Sequence, residues 1–416
     1  MSILGRALEN RAATSGLANP SPWLSEALTG GSTYVGRSVT VENSLGLVPV
    51  FSAVSLLANT IGSLPLMVYR RGSNNDRERA PDHRTWPMLH DQPNPDMAAD
   101  EVWSLVATHL LLWGNAFLLK VRDRLDIVRE LWPIRPNRVL VGWDDRGRYF
   151  IVASDKGINK FRDVDILHIR GLGTDGLVGL SPIQMARQML AGAMEVEEFA
   201  TRFWANSAYP GGVLEHPNKI SDEAHKRLLS SWRQTHEGAK NANRAALLEE
   251  GMTWKSTGMP LGDAQFIESR NFNTMQIALL FRVPPGKLGA VMPKGSLTYT
   301  TTELEGIDLL TYSLRHWLVR MEGSLKRDPS IFTQGNRFFP EFLVDALMRS
   351  STKERYDAYA VALSPQTGWM NRDEVRSLEG LKPDPDYVAP GATADPASTE
   401  DDDKTDPNNN SEEGTS

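Results

Sequence analysis

Apolar residues recur at helical spacing from residue 48 onward: Val50, Val54, Leu57, Ile61 and Leu64 share one face, and Pro65 ends the pattern. Leu66 to Tyr69 then predicts a strand. After a polar loop, RRGSNNDRERAPD, comes "DQPNPDMAADEVWSLVATHLLLWGNAFLLKV", which predicts a helix over 99–113 and a strand after the Gly114-Asn115 break. Short runs at 129–132, 138–141, 149–153 and 166–170, separated by Gly and Asp turns, predict further strands. Residues 181–208 predict one long helix, with Ser181 as N-cap, Pro182 at the first helical position and Gln184 closing a capping box. The texture changes over 210–258, where a strand (212–215), a helix (221–235) and strand-like runs at 245–248 and 252–256 are expected. A helix over 264–282 follows, and the loop VPPGKLGAVMPKGS interrupts it, its prolines and glycines opposing helix. The next helix, 299–327, carries one stripe: Leu304, Ile307, Leu310, Leu314, Trp317, Met321 and Leu325. A strand over 336–343 and a helical region over 351–380 complete an α+β pattern.

At 416 residues and 40% hydrophobic content, the chain can build a sizeable core. It has no cysteine, which excludes disulfides, thiolate metal sites and thiol catalysis. The first residues, MSILGRALENRAATSG, lack a signal-peptide core, and no stretch has the unbroken length of a membrane-spanning helix, so a soluble intracellular protein is expected. Residues 1–42, rich in Ser, Gly, Thr and Ala, are expected to form a flexible arm. Of the net charge of −7, residues 383–416 carry −9 (ten acidic residues, one lysine), which leaves about +2 on the remainder. That tail has the composition of a disordered segment. The near-neutral body lacks the dense basic face of a dedicated nucleic-acid binder, so any contact with DNA should be loose.

The most chemical-looking stretch is "HIRGLGTDGLVGLSPIQMA", residues 168–186, in which Gly171, Gly173 and Gly176 spell G-x-G-x-x-G after a strand and before a helix. A dinucleotide-binding turn places its third glycine in the first helical turn, against the pyrophosphate. Here Gly176 lies five residues before Ser181, and the acidic residues Glu195, Glu197 and Glu198 fall inside a helix instead of ending a second strand. The motif reads as a hinge that re-aims a strand into a helix. Gly286-Lys287 lacks the Ser or Thr and the upstream glycine of a phosphate-binding loop. There is no G-x-S-x-G elbow and no H-E-x-x-H pair, and the three glutamates read as a solvated helix face instead of a metal cluster. No catalytic residue, metal or cofactor is expected.

The order of elements resembles the portal protein family of tailed bacteriophages, the head–tail connectors. The runs that carry the likeness are "AVSLLANTIGSLPLMVYRR", "LLLWGNAFLLKVRD", "ILHIRGLGTDGLVGLSPIQMAR", "FWANSAYPGGVLEHPNKISDEAHKRL", "LLEEGMTWKSTGMPLGDAQFIESRNF", "IALLFRVPPGKLG" and "GWMNRDEVRSLEGLKP", spanning about residues 48–384. The resemblance implies a virion protein, formed in the host cytoplasm, whose subunits close into a ring at one capsid vertex. Such rings usually have twelve subunits and pass double-stranded DNA through the centre, without sequence preference. Implied partners are the terminase large subunit, the head–tail adaptor and the major capsid or scaffolding protein; no membrane is implied.

By position, 43–180 with the strand at 336–343 resembles the family's wing, and 181–208 and 264–282 resemble its stem helices. Residues 209–263 resemble the clip, 283–297 the tunnel loop, 298–348 a long helix with the wing return, and 349–382 a crown. On this mapping Lys287, Leu288, Val291, Met292 and Lys294 face the DNA channel, and His216, Lys219, Arg227, Trp232 and Arg233 meet the terminase or adaptor. The competing expectations are a peripheral scaffold that binds a partner through the 299–327 stripe, and a dinucleotide enzyme.

Overall fold

The computed structural model describes residues 33–72, 77–155, 157–205, 212–215, 221–236, 252–256, 263–290, 306–332, 337–344, 352–364, 368–379, 381–382 and 384. Two units divide the chain near residue 347.

In the larger unit, helix α1 (Val48–Gly62) buries Val50, Ala53, Val54, Leu57, Ala58 and Ile61. Helix α2 (Ala99–Trp113) packs against it and buries Val102, Trp103, Val106, Leu110 and Leu111. The Trp103 indole donates to the Leu89 carbonyl at 3.0 Å, so this large ring enters the core with its polar atom satisfied.

Strand β1 (Leu66–Arg71) sits between β2 (Arg77–Arg79) and the distant β11 (Phe338–Phe342), and all three run antiparallel. Strand β3 (Asn115–Arg122) lies between β4 (Val128–Ile134) and β8 (Ile166–Arg170). A third meander joins β5 (Val139–Asp144), β6 (Gly147–Ser154) and β7 (Gly157–Arg162). Phe117, Val139, Phe150, Val152 and Ile166 form a small second core. Strand β7 has no counterpart in the sequence reading, because all but its last two residues are exposed and its hydrophobic signal is weak.

Several expectations need correction. The arm was expected to run to residue 42, yet Val39 and Val41 are buried in the core. Arg37 reaches Glu195 at 3.1 Å and Glu198 at 2.5 Å, and these bonds hold Glu198 below its usual range. The expected long helix is two: α3 (Pro182–Met185), then a break at Ala186, then α4 (Arg187–Ala205). Ser181 caps α3 by accepting from the Gln184 N–H at 3.3 Å. The Gln184 side chain donates to the Val39 carbonyl at 3.4 Å instead of closing a capping box.

The striped helix is also interrupted. A π-helical segment, Leu309–Leu314, precedes α7 (Arg315–Arg327). The wider π turn adds a residue and rotates the buried face. The core side chains are therefore Leu309, Leu314, Leu318, Met321 and Leu325, while Ile307 is left 45% exposed. Leu304 lies outside the described residues.

The expected Gly114-Asn115 break is the tightest point of the molecule. Gly114 ends α2 with φ 69, and a Cβ there would stand 2.0 Å from the Leu180 carbonyl oxygen. A Cβ on Gly179 would stand 1.9 Å from the Gly114 oxygen. Asn115 fastens the two segments, since its amide oxygen accepts from the Gly179 N–H (2.8 Å) and its amide nitrogen donates to the Gly179 carbonyl (2.7 Å). Ser181 Oγ adds a bond to the Leu112 carbonyl at 2.6 Å.

The smaller unit holds α8 (Thr352–Ala362) and α9 (Arg372–Leu378) where one helical region was expected. Tyr359 donates to Glu379 at 2.9 Å across that pair, and Asn371 and Glu374 form a capping box on α9.

Lys120, on β3, is buried against Asp328 just past α7, at 2.6 Å with side-chain exposures of 1% and 9%. Burial lowers the lysine's pKa and the aspartate opposes that shift. Lys120→Met should leave Asp328 buried without its partner and destabilise the fold by about 3 kcal/mol, read by urea unfolding. Adding Asp328→Leu should recover part of that loss.

Gly179 and Gly176 make a matched pair of tests. Gly179→Ala puts a methyl into backbone and should cost more than about 3 kcal/mol or abolish soluble expression. Gly176→Ala meets only open space and should cost about 1–2 kcal/mol, for its φ of 71. Equal effects in thermal unfolding would show that the contact at Gly179 is not what constrains the turn.

Candidate functional site

The antiparallel insert between the stem candidates starts from two helices anchored at one end only. Helix α4 buries Leu190, Ala191, Ala193 and Met194 in its first half, and α6 (Asp263–Phe281) buries Ile277, Ala278 and Phe281 in its last. Toward the insert Phe199 and Phe272 are exposed, and even at the anchored end of α6 Leu279 stands 78% exposed on the opposite face. The two helices are tied by Arg270 on Glu197 at 2.9 and 3.1 Å. Glu195, Glu197 and Glu198 are thus committed to arginines, and among the described residues no group of three or more metal-ligating side chains exists.

The insert contains strands β9 (Gly212–Glu215) and β10 (Thr253–Ser256), which pair antiparallel with Lys255 on Glu215 at 2.9 Å. Between them lies helix α5 (Asp222–His236), whose Asp222 and Glu223 favour the positive end of the helix. Most described side chains here are exposed, with only Leu228 and Met252 half-covered. Of the expected docking residues, Arg227 is exposed on α5. Trp232 and Arg233 lie on the same helix, with side chains outside the description. His216 and Lys219 lie outside the described residues, as do 245–248. The description therefore brings no two of these five side chains together.

Past α6 the chain does not become irregular at once. Pro285–Leu288 forms a 3-10 turn, closed by Gly289 at φ 74. The fixed φ of Pro285 at the start of that turn suits a helical first residue, which is why proline did not prevent it. Lys287 is exposed. Leu288 is not: it packs against the main core, and Ala290 is buried. The expected apolar tip thus loses Leu288 to the core, and only Val291 and Met292 remain candidates. They and Lys294 lie outside the described residues. Gly286-Lys287 leads into no helix of the phosphate-binding kind.

The glycine-rich stretch is packed backbone to backbone, with the Gly171 N–H donating to the Gly114 carbonyl at 2.8 Å and the Leu180 N–H to the Leu172 carbonyl at 2.7 Å. Gly171, Gly173 and Gly179 serve close approach of backbone to backbone, and Gly176 serves a positive φ. Sequence reasoning missed what lies beside it: Arg170, Arg320 and Arg327 share a concavity lined by this turn and by α7. Their positions, 150 residues apart, give no local pattern.

No helix among the described residues is long and apolar enough to cross a membrane. Residues 49–380 match the family model described as "Phage portal protein". A "Probable portal protein" of Streptomyces phage phiC31 is 33% identical over 365 residues, covering 84% of this chain and 78% of that protein. The "Portal protein" of Enterobacteria phage HK97 is 27% identical over 354 residues, covering 85% and 83%. Among solved structures, one titled "Neck of empty GTA particle computed with C6 symmetry" aligns over 92% of this chain and 100% of its own, with TM-score 0.59 and 25% identity. A crystal structure of an HK97 family phage portal protein from Corynebacterium diphtheriae gives TM-score 0.58 over 76% of this chain and 99% of its own, at 16% identity, and bears on the fold alone. The helix-flanked insert, the wing-like sheets closed by a late strand and these matches agree: the chain belongs to the phage portal protein family.

Proposed function

We propose that this protein is the subunit of a closed homo-oligomeric ring, of twelve copies, that stands at the capsid vertex and conducts double-stranded DNA during packaging and ejection. The observation that carries the reading is the unfinished state of a single subunit. Phe199, Phe272 and Leu279 stand exposed on the stem helices, Val48 and Phe51 on α1, and most of the described side chains of the insert are exposed. Apolar surface of this kind marks a site of association. Likeness to proteins named as portals, and to the neck of a symmetric particle, supports the same assembly.

Within the ring the wing and stem are the fixed frame, and residues 209–263 are the clip that meets the terminase large subunit and later the head–tail adaptor. Arg227, Trp232 and Arg233 on α5, together with His216 and Lys219, are the residues proposed for that contact. The outer wing meets the major capsid or scaffolding protein. The role is structural and non-catalytic; assembly takes place in the host cytoplasm and the ring remains in the virion. The loop 283–297 faces the channel. Lys287 and Lys294 make weak, salt-sensitive phosphate contacts, and Val291 and Met292 form a rim along which DNA slides.

Negative-stain micrographs and mass photometry of recombinant protein should show closed rings, formed without metal or disulfides. Only monomers or dimers across a wide range of salt and concentration would point to a peripheral scaffold instead.

Because Leu288 and Ala290 belong to the core, the loop is tested by substitution. Val291→Ser, Met292→Ser and Lys294→Gln together should leave ring assembly unchanged and reduce the DNA packaged or retained in assembled particles. Normal genome filling would remove the channel role from this loop.

A further inference from the structure

Beside the glycine turn lies a concavity of about 420 Å³, lined by Arg170, Arg320 and Arg327 and by Gly176, Val319 and Gly323. Its charge is unbalanced. Three arginines and no acidic side chain line it, and Arg148, Arg327 and Arg320 all act on Arg170 against the opposing Asp163. Asp163 is itself engaged by Arg148 at 2.7 Å, and Asp175 turns its carboxylate onto the N–H groups of Leu177 (2.8 Å) and Val178 (3.3 Å).

Two of the arginines are held by hydrogen bonds. Arg170 donates to the Gly176 carbonyl, and Arg320 donates to the Arg170 carbonyl at 3.3 Å. The space is also kept clear. Gly323 sits within α7 although glycine costs a helix about 1 kcal/mol relative to alanine, and a Cβ there would meet nothing within 4 Å. Packing therefore does not require this glycine, and its lack of a side chain leaves the concavity open.

We propose that this concavity is a binding site for a phosphate group. Guanidinium pairs in fork geometry with carboxylate or phosphate, and phosphate brings more acceptor oxygens and a higher negative charge to share among several arginines. Three arginines lining one concavity suit that ligand better than a single carboxylate. The volume exceeds a lone ion and falls in the range of sites that take a larger molecule, so the phosphate is one carried on a bigger body: a phosphodiester of DNA or a small phosphate ester. The DNA source rests on the conduit reading; the site itself does not.

The test uses full-length protein. Inorganic phosphate, exchanged for chloride at constant ionic strength, should raise the Tm by a few degrees, and R320Q/R327Q should lose that shift. Binding of a fluorescent 20-base-pair duplex should weaken by about tenfold in R320Q/R327Q. The log–log salt slope should become shallower by about 1.8 per engaged subunit, for two lost phosphate contacts. R320K/R327K should keep most of the slope. G323E, which places a carboxylate in the open space with every arginine intact, should reproduce both losses and carries the test should R320Q/R327Q fold poorly.

Loss of both readouts identifies DNA as the source, and loss of the phosphate shift alone identifies a small phosphate ester. No change in either overturns the site. K287Q/K294Q keeps the readings apart: weaker duplex binding there, with both readouts unchanged in R320Q/R327Q, leaves the channel loop standing and removes the pocket. A protein that fails to form rings but keeps the phosphate shift does the reverse.

Discussion

Two peptide segments 65 residues apart touch without a side chain between them, Gly114 against Gly179 (179 minus 114), and most of the subunit hangs on that contact. It places the end of α2 and the start of β3 against the entry to α3. Asn115 makes the join specific by bonding both backbone groups of Gly179, and its oxygen also meets His168 Nε2 at 3.0 Å. The direction in which α3 and α4 leave the sheets is therefore set by hydrogen bonds to the main chain at close contact.

Outward from the joint, order is held by progressively weaker means. Helices α1 and α2 and the sheets have a continuous apolar core and a buried ion pair. Helices α4 and α6 share part of that core and add surface ion pairs, Arg37 with Glu195 and Glu198 and Arg270 with Glu197, each worth little in water. The insert has a two-stranded ribbon and one helix, and most of its described side chains are exposed.

Much of this was legible in the chain. The face of α1 and the whole of α2 followed from spacing alone, and β8 from its apolar run and turn glycines, because their burial is set by local pattern. The hinge reading of the glycine motif was also available, since Gly176 falls too far from Ser181 to serve a helix N-terminus. What escaped depends on contacts remote in sequence. The π segment before α7 leaves no signature when both possible faces are apolar. The break at Ala186 occurs in a sequence with no helix breaker, and β7 is almost wholly solvated. Val39 looked like part of an arm because its partners lie elsewhere in the chain, and Leu288 looked like a loop tip because nothing local reveals the core beneath it. Of the candidate site, the insert and loop were placed by order of elements, while the three arginines converge only in space.

The pairing of β1 with β11 sets the timing of this subunit's birth. Leu66 meets Phe342 across 276 residues of chain (342 minus 66), so the edge of β1 has no partner until nearly everything else has left the ribosome. At about 5–20 residues per second that wait is roughly a quarter of a minute to a minute, and such distant pairing is slow to form afterwards. Lys120 waits almost as long for Asp328. A nascent chain therefore carries α4, the insert and α6 before its first sheet is complete. Any assembly that needs that sheet finished waits until the chain is nearly free of the ribosome.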